Sequence, residues 1–160
     1  MPLNPNQFKE FVTATNTGGG ATLDLDSGSL IGNSSEGPHG YIVGGEKPRP
    51  GVEGDRVKTE YIAREKFNAK TAHTAATKIL GAADTSPGLG IGSYIDPEAG
   101  DNAPVEIDAA RVHPTLKGAM ALAQQRKEKS VWSTKLQKEI RTADYSRNPK
   151  KYHDMVGESL

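Results

Sequence analysis

The sequence has no cysteine, no long apolar run and no apolar leader at its start. The lack of cysteine excludes disulfide bonds and thiolate metal sites. The apolar runs last only a few residues, whereas a membrane-spanning helix needs about 20. The opening "MPLNPNQFKEF" is polar and lacks the basic and apolar regions of a secretory signal. These absences predict a soluble protein that is made in a cytoplasm and has no membrane partner.

Large apolar side chains are also scarce. Ile, Leu, Val and Phe together make up 29 of the 160 residues, just under the level of about 20% below which disorder becomes a concern. The other mark of disorder is missing, because 20 basic and 20 acidic residues cancel. Alanine and glycine fill the composition, and alanine buries little area. We therefore expect a folded protein with a thin core, which an oligomer or assembly would stabilise.

The charges are distributed unevenly along the chain. Residues 1–55 carry 3 basic and 7 acidic side chains, whereas residues 126–151 carry 9 basic and 3 acidic ones. Such a segment can steer one end of a protein onto an acidic surface, although solvated surface lysines are the simpler interpretation. The candidate basic surface consists of eight cations: Arg126, Lys127, Lys129, Lys135, Lys138, Arg141, Lys150 and Lys151.

Aromatic residues lie among these cations and raise nucleic acid as an alternative partner. Trp132, Tyr145 and Tyr152 could stack on bases while the cations contact phosphates. Acidic residues interrupt the basic run, however, and Trp132 lies in an apolar strand, where a core position is more natural. Nucleic-acid binding is therefore the less favoured hypothesis.

A short helix is predicted over residues 4–15. Asn4 can cap it, and Phe8, Phe11 and Val12 share one face. Because the helix is too short to be stable alone, this face should dock on the body of the protein or on a neighbouring chain. The Gly/Ser-rich stretch 17–40 that follows predicts a weak hairpin or an ordered loop.

Residues 55–80 form the longest helical pattern in the chain. Asp55 is a suitable cap, and Gly81 supplies the stop. Before it, "GYIVGG" at 40–45 predicts a buried strand between glycines. A second helix is predicted over 115–127, because Leu116, Ala119, Met120 and Ala123 lie at i, i+3, i+4 and i+7.

Four further strands complete the prediction. Those at about 91–95 and 105–108 should form an antiparallel hairpin, since the turn formers "DPEAGDNAP" separate them. "SVWS" at 130–133 should be a closing strand, and Ile140 should lie on another short one. The expected fold is α+β, with a small antiparallel or mixed sheet and two helices on one face.

This pattern divides the chain into three predicted parts: an N-terminal helix and Gly/Ser-rich arm (1–38), an α+β core domain (39–142) and an extended, polar, basic C-terminal tail (143–160). Extended arms of this kind often bind neighbouring chains in assemblies. The candidate partner-binding side chains on the two arms are Phe8, Phe11, Val12, Tyr145 and Tyr152.

No catalytic set is recognisable, and we expect neither a cofactor nor a bound metal. The four histidines stand apart, and no H-E-x-x-H motif occurs. His113 has Glu106 and Asp108 nearby in sequence, but a surface histidine at a strand–helix junction is the favoured interpretation. The acidic groups around Asp24 and Asp96 fit turns that cap local backbone better than a calcium loop.

Glycine-rich "GLGIGS" at 88–93 is likewise a poor phosphate loop. A dinucleotide-binding fingerprint needs a strand before it and the N-terminus of a helix after it. Here a helix and a Pro-Gly turn precede the glycines, a strand is predicted to follow them, and no Walker lysine is present. The glycines are therefore expected to be structural.

Taken together, the motifs "GYIVGG", "IGSYIDPEAG", "VEIDAARV", "AMALAQQRKEKSVWS" and "KEIRT" resemble uncharacterised α+β domains encoded by bacteriophages and other mobile elements. Such domains occur alone or within large polyvalent and virion-associated proteins. The similarity covers residues 40–142, and "DNAP" lengthens the hairpin relative to the usual pattern. The matching positions are Gly40, Tyr41, Val43, Gly44, Tyr94, Asp96, Gly100, Ile107, Asp108, Ala119, Ala123, Val131 and Trp132.

The resemblance implies a phage context and supplies no catalytic residues. We therefore expect a non-enzymatic structural or virion-associated protein, such as a capsid, decoration or head–tail component. It would contact other phage structural proteins or copies of itself, in the virion or in the host cytoplasm during assembly. The alternatives are an anti-defence or host-takeover binding protein and, less favoured, a small nucleic-acid-binding protein or effector enzyme.

Overall fold

A computed structural model of the protein describes residues 3–34, 39–49, 51–53, 56–81 and 85–160. In chain order its elements are a one-turn 3₁₀ helix (Pro5–Gln7), α1 (Phe8–Gly18), β1 (Gly20–Asp24), β2 (Leu30–Ile31), β3 (Tyr41–Val43), β4 (Thr59–Ile62), a second 3₁₀ turn (Arg64–Lys66), α2 (Ala69–Leu80), β5 (Gly90–Tyr94), β6 (Val105–His113), α3 (Leu116–Gln125), β7 (Ser130–Ser133), β8 (Lys138–Arg141), α4 (Thr142–Arg147) and α5 (Pro149–Val156).

The chain divides into two compact units. The first comprises Met1–Ile31 and Gly45–Ala110, and the second comprises Gly32–Gly44 and Arg111–Leu160. The strand β6 contributes to both, because the division falls between Ala110 and Arg111. This division differs from the predicted series of arm, core and tail.

In the first unit, α1 and α2 cover one face of an antiparallel sheet. The strands lie in the order β2, β1, β5, β6, β4. Alternate strand residues such as Leu23, Ile91 and Ile107 point into a shared core with Phe8 and Phe11 of α1. The alanine-rich α2 contributes its small side chains and two larger ones to the same core, namely Ala72, Ala75, Ala76, Ile79 and Leu80.

In the second unit, α3, α4 and α5 contribute to a core on one side of another antiparallel arrangement. The end of β6 pairs with β3, β3 pairs with β7, and β7 pairs with β8. Val43, Val131 and Ile140 of the strands share this core with Leu116 and Met120 of α3. Each strand pairing among the described residues is antiparallel, so the predicted α+β class with an antiparallel sheet is confirmed.

Much of the local prediction is confirmed as well. The strand "SVWS" is β7, the predicted hairpin is formed by β5 and β6, and the helix over 115–127 is α3. Asn4 starts the N-terminal helical segment: its side chain accepts from the Asn6 amide at 3.0 Å, and its own amide donates to the Gln7 side chain at 2.8 Å as part of a capping box. The predicted weak hairpin is formed by β1 and β2.

The predicted helix over 55–80 is wrong in its first half. Residues 59–62 form β4, and α2 begins only after Asn68, whose side chain accepts from the Thr71 amide at 3.0 Å. The Asn68 amide donates in turn to the Thr71 hydroxyl, which completes a capping box. The predicted cap Asp55 lies outside the described residues. Gly81 does end the helix, with φ of 71°.

The extended C-terminal tail is also a wrong prediction, since residues 142–156 are mostly helical. Pro149 opens α5, where Asn148 caps the Lys151 amide, and Gly157 ends it in a left-handed conformation. Tyr152 and Val156 lie on the buried face of this helix. The segment is polar overall, yet its few apolar side chains recur at i and i+4 and can fill a core.

Candidate functional site

The predicted partner-binding side chains lie mainly inside the protein. Phe8 and Phe11 are 0% exposed and pack edge to face, with ring centroids 5.4 Å apart. Tyr145 and Tyr152 are each 8% exposed in the second core, and the half-buried Val12 packs against the first. Four of the five side chains are therefore buried within their own chain, and their contact with another chain stays a prediction. The helix α1 docks on the body of the protein, the other outcome expected for its apolar face.

The eight cations of the candidate basic surface have varied local roles. Arg126 donates to the Gly44 carbonyl at 3.4 Å, and Lys135 donates to the Val156 carbonyl at 2.7 Å. Arg141 and Lys150 form ion pairs with Glu139 and Asp154. Lys151 lies 5.4 Å from the ring centroid of Tyr152. The exposed lysines are Lys127, Lys129, Lys135, Lys138, Lys150 and Lys151.

Lys127 and Lys129 line an open groove of about 360 Å³ between the end of α3 and the start of α4. Glu128 lines the same groove, so its charge is mixed. Thr142 closes one side, with its hydroxyl donating to the Glu128 carbonyl at 3.0 Å. A groove of this composition does not favour a phosphate backbone, which binds rows of unopposed cations.

The acidic residues raised as calcium ligands accept hydrogen bonds from backbone amides. Asp24 accepts from the Ser27 amide at 3.1 Å, Asp26 from the Gly88 amide at 2.9 Å, and Asp96 from the Glu98 amide at 3.0 Å. Within the ranges that the structure describes, no group of three or more His, Asp or Glu side chains could hold a metal ion. Asp24 and Asp96 therefore cap local turns, whereas Asp26 joins its turn to Gly88, which lies 62 residues later in the chain.

His113 is not paired with Glu106 or Asp108 along β6. At about 3.3 Å per residue, it lies roughly 17 Å from Asp108 and farther from Glu106. Residues an odd number of positions apart also point to opposite faces of a strand. The β6 strand therefore cannot assemble these residues as a base and its orienting carboxylate.

The glycines of "GLGIGS" lie in a turn and in β5, with Gly90 and Gly92 in the strand.

A polar network in the second unit connects the C-terminal segment with β3 and α3. The Tyr145 hydroxyl lies 2.7 Å from His153 Nε2, and His153 Nδ1 lies 3.2 Å from the Glu158 carbonyl. Because a carbonyl only accepts, Nδ1 must donate; in a neutral imidazole Nε2 then accepts the Tyr145 proton. The Glu158 carboxylate accepts from the Tyr41 hydroxyl and, at 2.9 Å, from the Leu116 amide.

The electrostatics of this network favour a structural role, in which the network holds the C-terminal segment against β3 and α3. Glu158 lies at the N-terminus of α3, where free amides and the helix dipole favour an anion. Burial raises the pKa of Tyr41 above its usual value near 10, and the hydrogen bond and charge of Glu158 add to this. Burial and the same charge raise the pKa of Tyr145. Hydroxyls with raised pKa values are poor proton donors in catalysis at neutral pH, but they remain stable hydrogen-bond donors.

The pH dependence of stability should reveal this network. Since the pKa of Tyr41 is raised in the folded state, its stabilising effect is complete below pH 10 and declines as the pH rises further. We expect Tyr41→Phe to lower the free energy of unfolding by about 1–3 kcal/mol at pH 8. That difference should shrink above pH 10 by up to about 1.4 kcal/mol per pH unit. Urea unfolding followed at Trp132 between pH 8 and 11 would measure it, and a constant difference would contradict the expectation.

The most exposed aromatic side chain of the first unit lies on a strand at the edge of the sheet. Tyr61 of β4 is 63% exposed, and Val57 just before the strand is 46% exposed. β4 pairs with β6, with Tyr61 opposite Glu106, and no other described strand pairs with it. We call the segment Val57–Tyr61 the β4 edge. Its backbone presents an open row of hydrogen-bonding groups beside exposed apolar side chains.

Ile62 and Glu60 show which side chains of β4 face the helices. Ile62 is buried in the first core, and Glu60 lies 3.7 Å from Lys78 of α2. Because side chains alternate along a strand, Thr59 and Tyr61 face the side of the sheet away from the helices. The sequence prediction missed this surface because Val57 and Tyr61 also fit an i, i+4 helical stripe. The signal for a strand was the alternation of β-branched or aromatic residues with charged ones over 57–61.

The chain matches no protein-family model, no curated protein and no solved structure. In the part of the chain that the structure describes, every helix is too short or too polar to cross a membrane.

Proposed function

We propose that the protein is a non-enzymatic bacteriophage structural or virion-associated component, of the capsid, decoration or head–tail type, that acts through protein–protein contacts. The observation that carries the contact function is the β4 edge, with its open strand and exposed Tyr61. The phage context has a different support, the resemblance of residues 40–142 to phage-encoded domains. The protein would reside in the virion, or in the host cytoplasm during assembly.

The β4 edge has the properties of a protein-binding surface. A second strand can add to an open sheet edge, with backbone hydrogen bonds supplying affinity and alternate side chains supplying specificity. Tyrosine is enriched among residues that dominate binding energy, because its ring buries much area at a low entropic cost. Monomeric proteins usually protect the edges of their sheets, so an unprotected edge that carries an exposed tyrosine favours a partner chain.

Tyr61→Ala should weaken association with virus particles by a factor of ten or more, the order expected for losing an interface anchor. Purified protein would be incubated with particles of the phage that encodes it, and bound protein would be measured after sedimentation. Leu160→Ala, which truncates another exposed side chain (65% exposed), is the matched control. Both variants should unfold at the same urea concentration as the unaltered protein, since neither side chain is in a core.

The alternative hypothesis gives a different result. An anti-defence or host-takeover protein would not sediment with particles, even when folded and at high concentration. If the unaltered protein ignores particles, the structural function is overturned. If it binds particles equally well with Tyr61→Ala, the contact lies elsewhere and the β4 edge no longer supports the proposal.

A further inference from the structure

The β4 edge is complementary to itself when read in the antiparallel direction. Its sequence is Val-Lys-Thr-Glu-Tyr, residues 57–61. Reversing one copy against the other places Val57 opposite Tyr61, Lys58 opposite Glu60, and Thr59 opposite Thr59. An apolar side chain therefore faces an aromatic one twice, and a cation faces an anion twice. Each of these is a favourable cross-strand pair.

We propose that two copies of the chain pair through their β4 edges, antiparallel and centred on Thr59. This inference rests on the proposal that the protein acts through protein contacts, and it names the partner as a second copy. A two-fold axis perpendicular to the sheet relates the two strands, so the same surface serves both subunits. The assembling unit would then be a dimer.

The alternation of side chains selects this register. The two-fold axis keeps each face of the sheet on the same side, so only residues on the same face can lie opposite each other. The pairing must therefore be centred on a residue. Centring on Lys58 opposes two lysines, and centring on Glu60 opposes two glutamates, which destabilises a strand pair. Within residues 57–61, only the register centred on Thr59 opposes unlike charges without opposing two like ones.

The surroundings of the edge are consistent with this arrangement. Val57 and Tyr61 are both exposed, and Tyr61 lies on the sheet face away from the helices. Glu60 lies on the helix side, where its side chain is 35% exposed and 3.7 Å from Lys78. Lys58 of the second copy would give this carboxylate a second cation. Val57 and Lys58 precede the strand as it stands, and pairing would extend the strand by these two residues.

Charge reversal tests both the partner and the register. In the proposed register, residue 58 of each copy lies opposite residue 60 of the other copy. Lys58→Glu alone therefore places two acidic side chains opposite each other at both of these positions, and Glu60→Lys alone places two lysines opposite each other there. Sedimentation velocity on the full chain should show at least a tenfold weaker self-association for each variant. An equimolar mixture of the two variants should associate again, because each pair then joins unlike charges. The double variant K58E/E60K should likewise recover self-association.

The matched control is Lys138→Glu, which reverses an exposed lysine on the strand β8 and should leave self-association unchanged. A monomeric unaltered protein, or variants whose mixture stays monomeric, would overturn the dimer. If that monomer still binds particles through Tyr61, the dimer proposal is overturned and the proposed function is supported. If the charge pattern holds but neither dimer nor monomer binds particles, the dimer stands and the proposed function falls.

Discussion

Ending the chain at residue 142 should unfold the second unit. The removed helices α4 and α5 bury Tyr145, Tyr152 and Val156 in its core, and His153 is only 2% exposed. Losing one large buried side chain costs about 3–5 kcal/mol, and whole domains are stable by only about 5–15 kcal/mol. Removing several at once should therefore exceed the stability of the unit.

Trp132 provides the measurement, because it is the only tryptophan and lies in the second unit. Its indole donates to the Gly32 carbonyl at 2.7 Å, so unfolding should shift its emission to longer wavelength. Removing only Ser159 and Leu160, which are both exposed, should leave the emission and the urea transition unchanged. A chain ending at 142 with native emission and a cooperative transition would show that the segment is a dispensable tail.

Phe8→Ala and Phe11→Ala should each destabilise the first unit by about 3–5 kcal/mol. Both rings are fully buried between α1, α2 and the sheet, and their edge-to-face contact adds to the loss. The helix is also fastened by Thr15, whose hydroxyl lies 2.6 Å from the Ser93 hydroxyl of β5. Losing a phenylalanine should therefore loosen β1 and β5 as well as the helix itself.

Hydrogen exchange of the β1 and β5 amides in increasing urea would measure this effect in the first unit. Lys9→Ala, at an exposed position of the same helix, is the control and should change the free energy by less than about 0.5 kcal/mol. Equal effects of Phe11→Ala and Lys9→Ala would place the phenylalanine outside the core and reopen its role as a contact to another chain.

Both predictions bear on how partner binding can be tested. A fragment covering only residues 39–142 would lose Phe8 and Phe11 from the first core and α5 from the second. Its failure to associate would report unfolding, rather than the loss of binding arms. Point substitutions on the β4 edge avoid this difficulty, because they change exposed side chains while both cores stay intact.

The strand β4, which lies where a helix was predicted, shows why part of the candidate site could not be predicted from the sequence. Over 55–62 the local pattern is compatible with either a helix or a strand, since Val57 and Tyr61 suit both. The choice is made by the backbone of β6, more than 40 residues later in the chain, to which 59–62 pair. The self-complementary charges of residues 57–61 are visible in the sequence, but they can pair with a second copy only where the strand lies at an exposed edge.

The features that could be predicted from the sequence alone are local: the capped start at Asn4, the strand 130–133, the apolar stripe of α3 and the hairpin of β5 and β6. These depend on capping residues, turn formers and periodicity within about a dozen residues. The tertiary structure alone decided that Phe8 and Phe11 are interior, that residues 142–156 close a core, and that β4 is an open edge. Burial and strand pairing join residues far apart in the chain, as Tyr41 and Glu158 show. No local pattern contains that information.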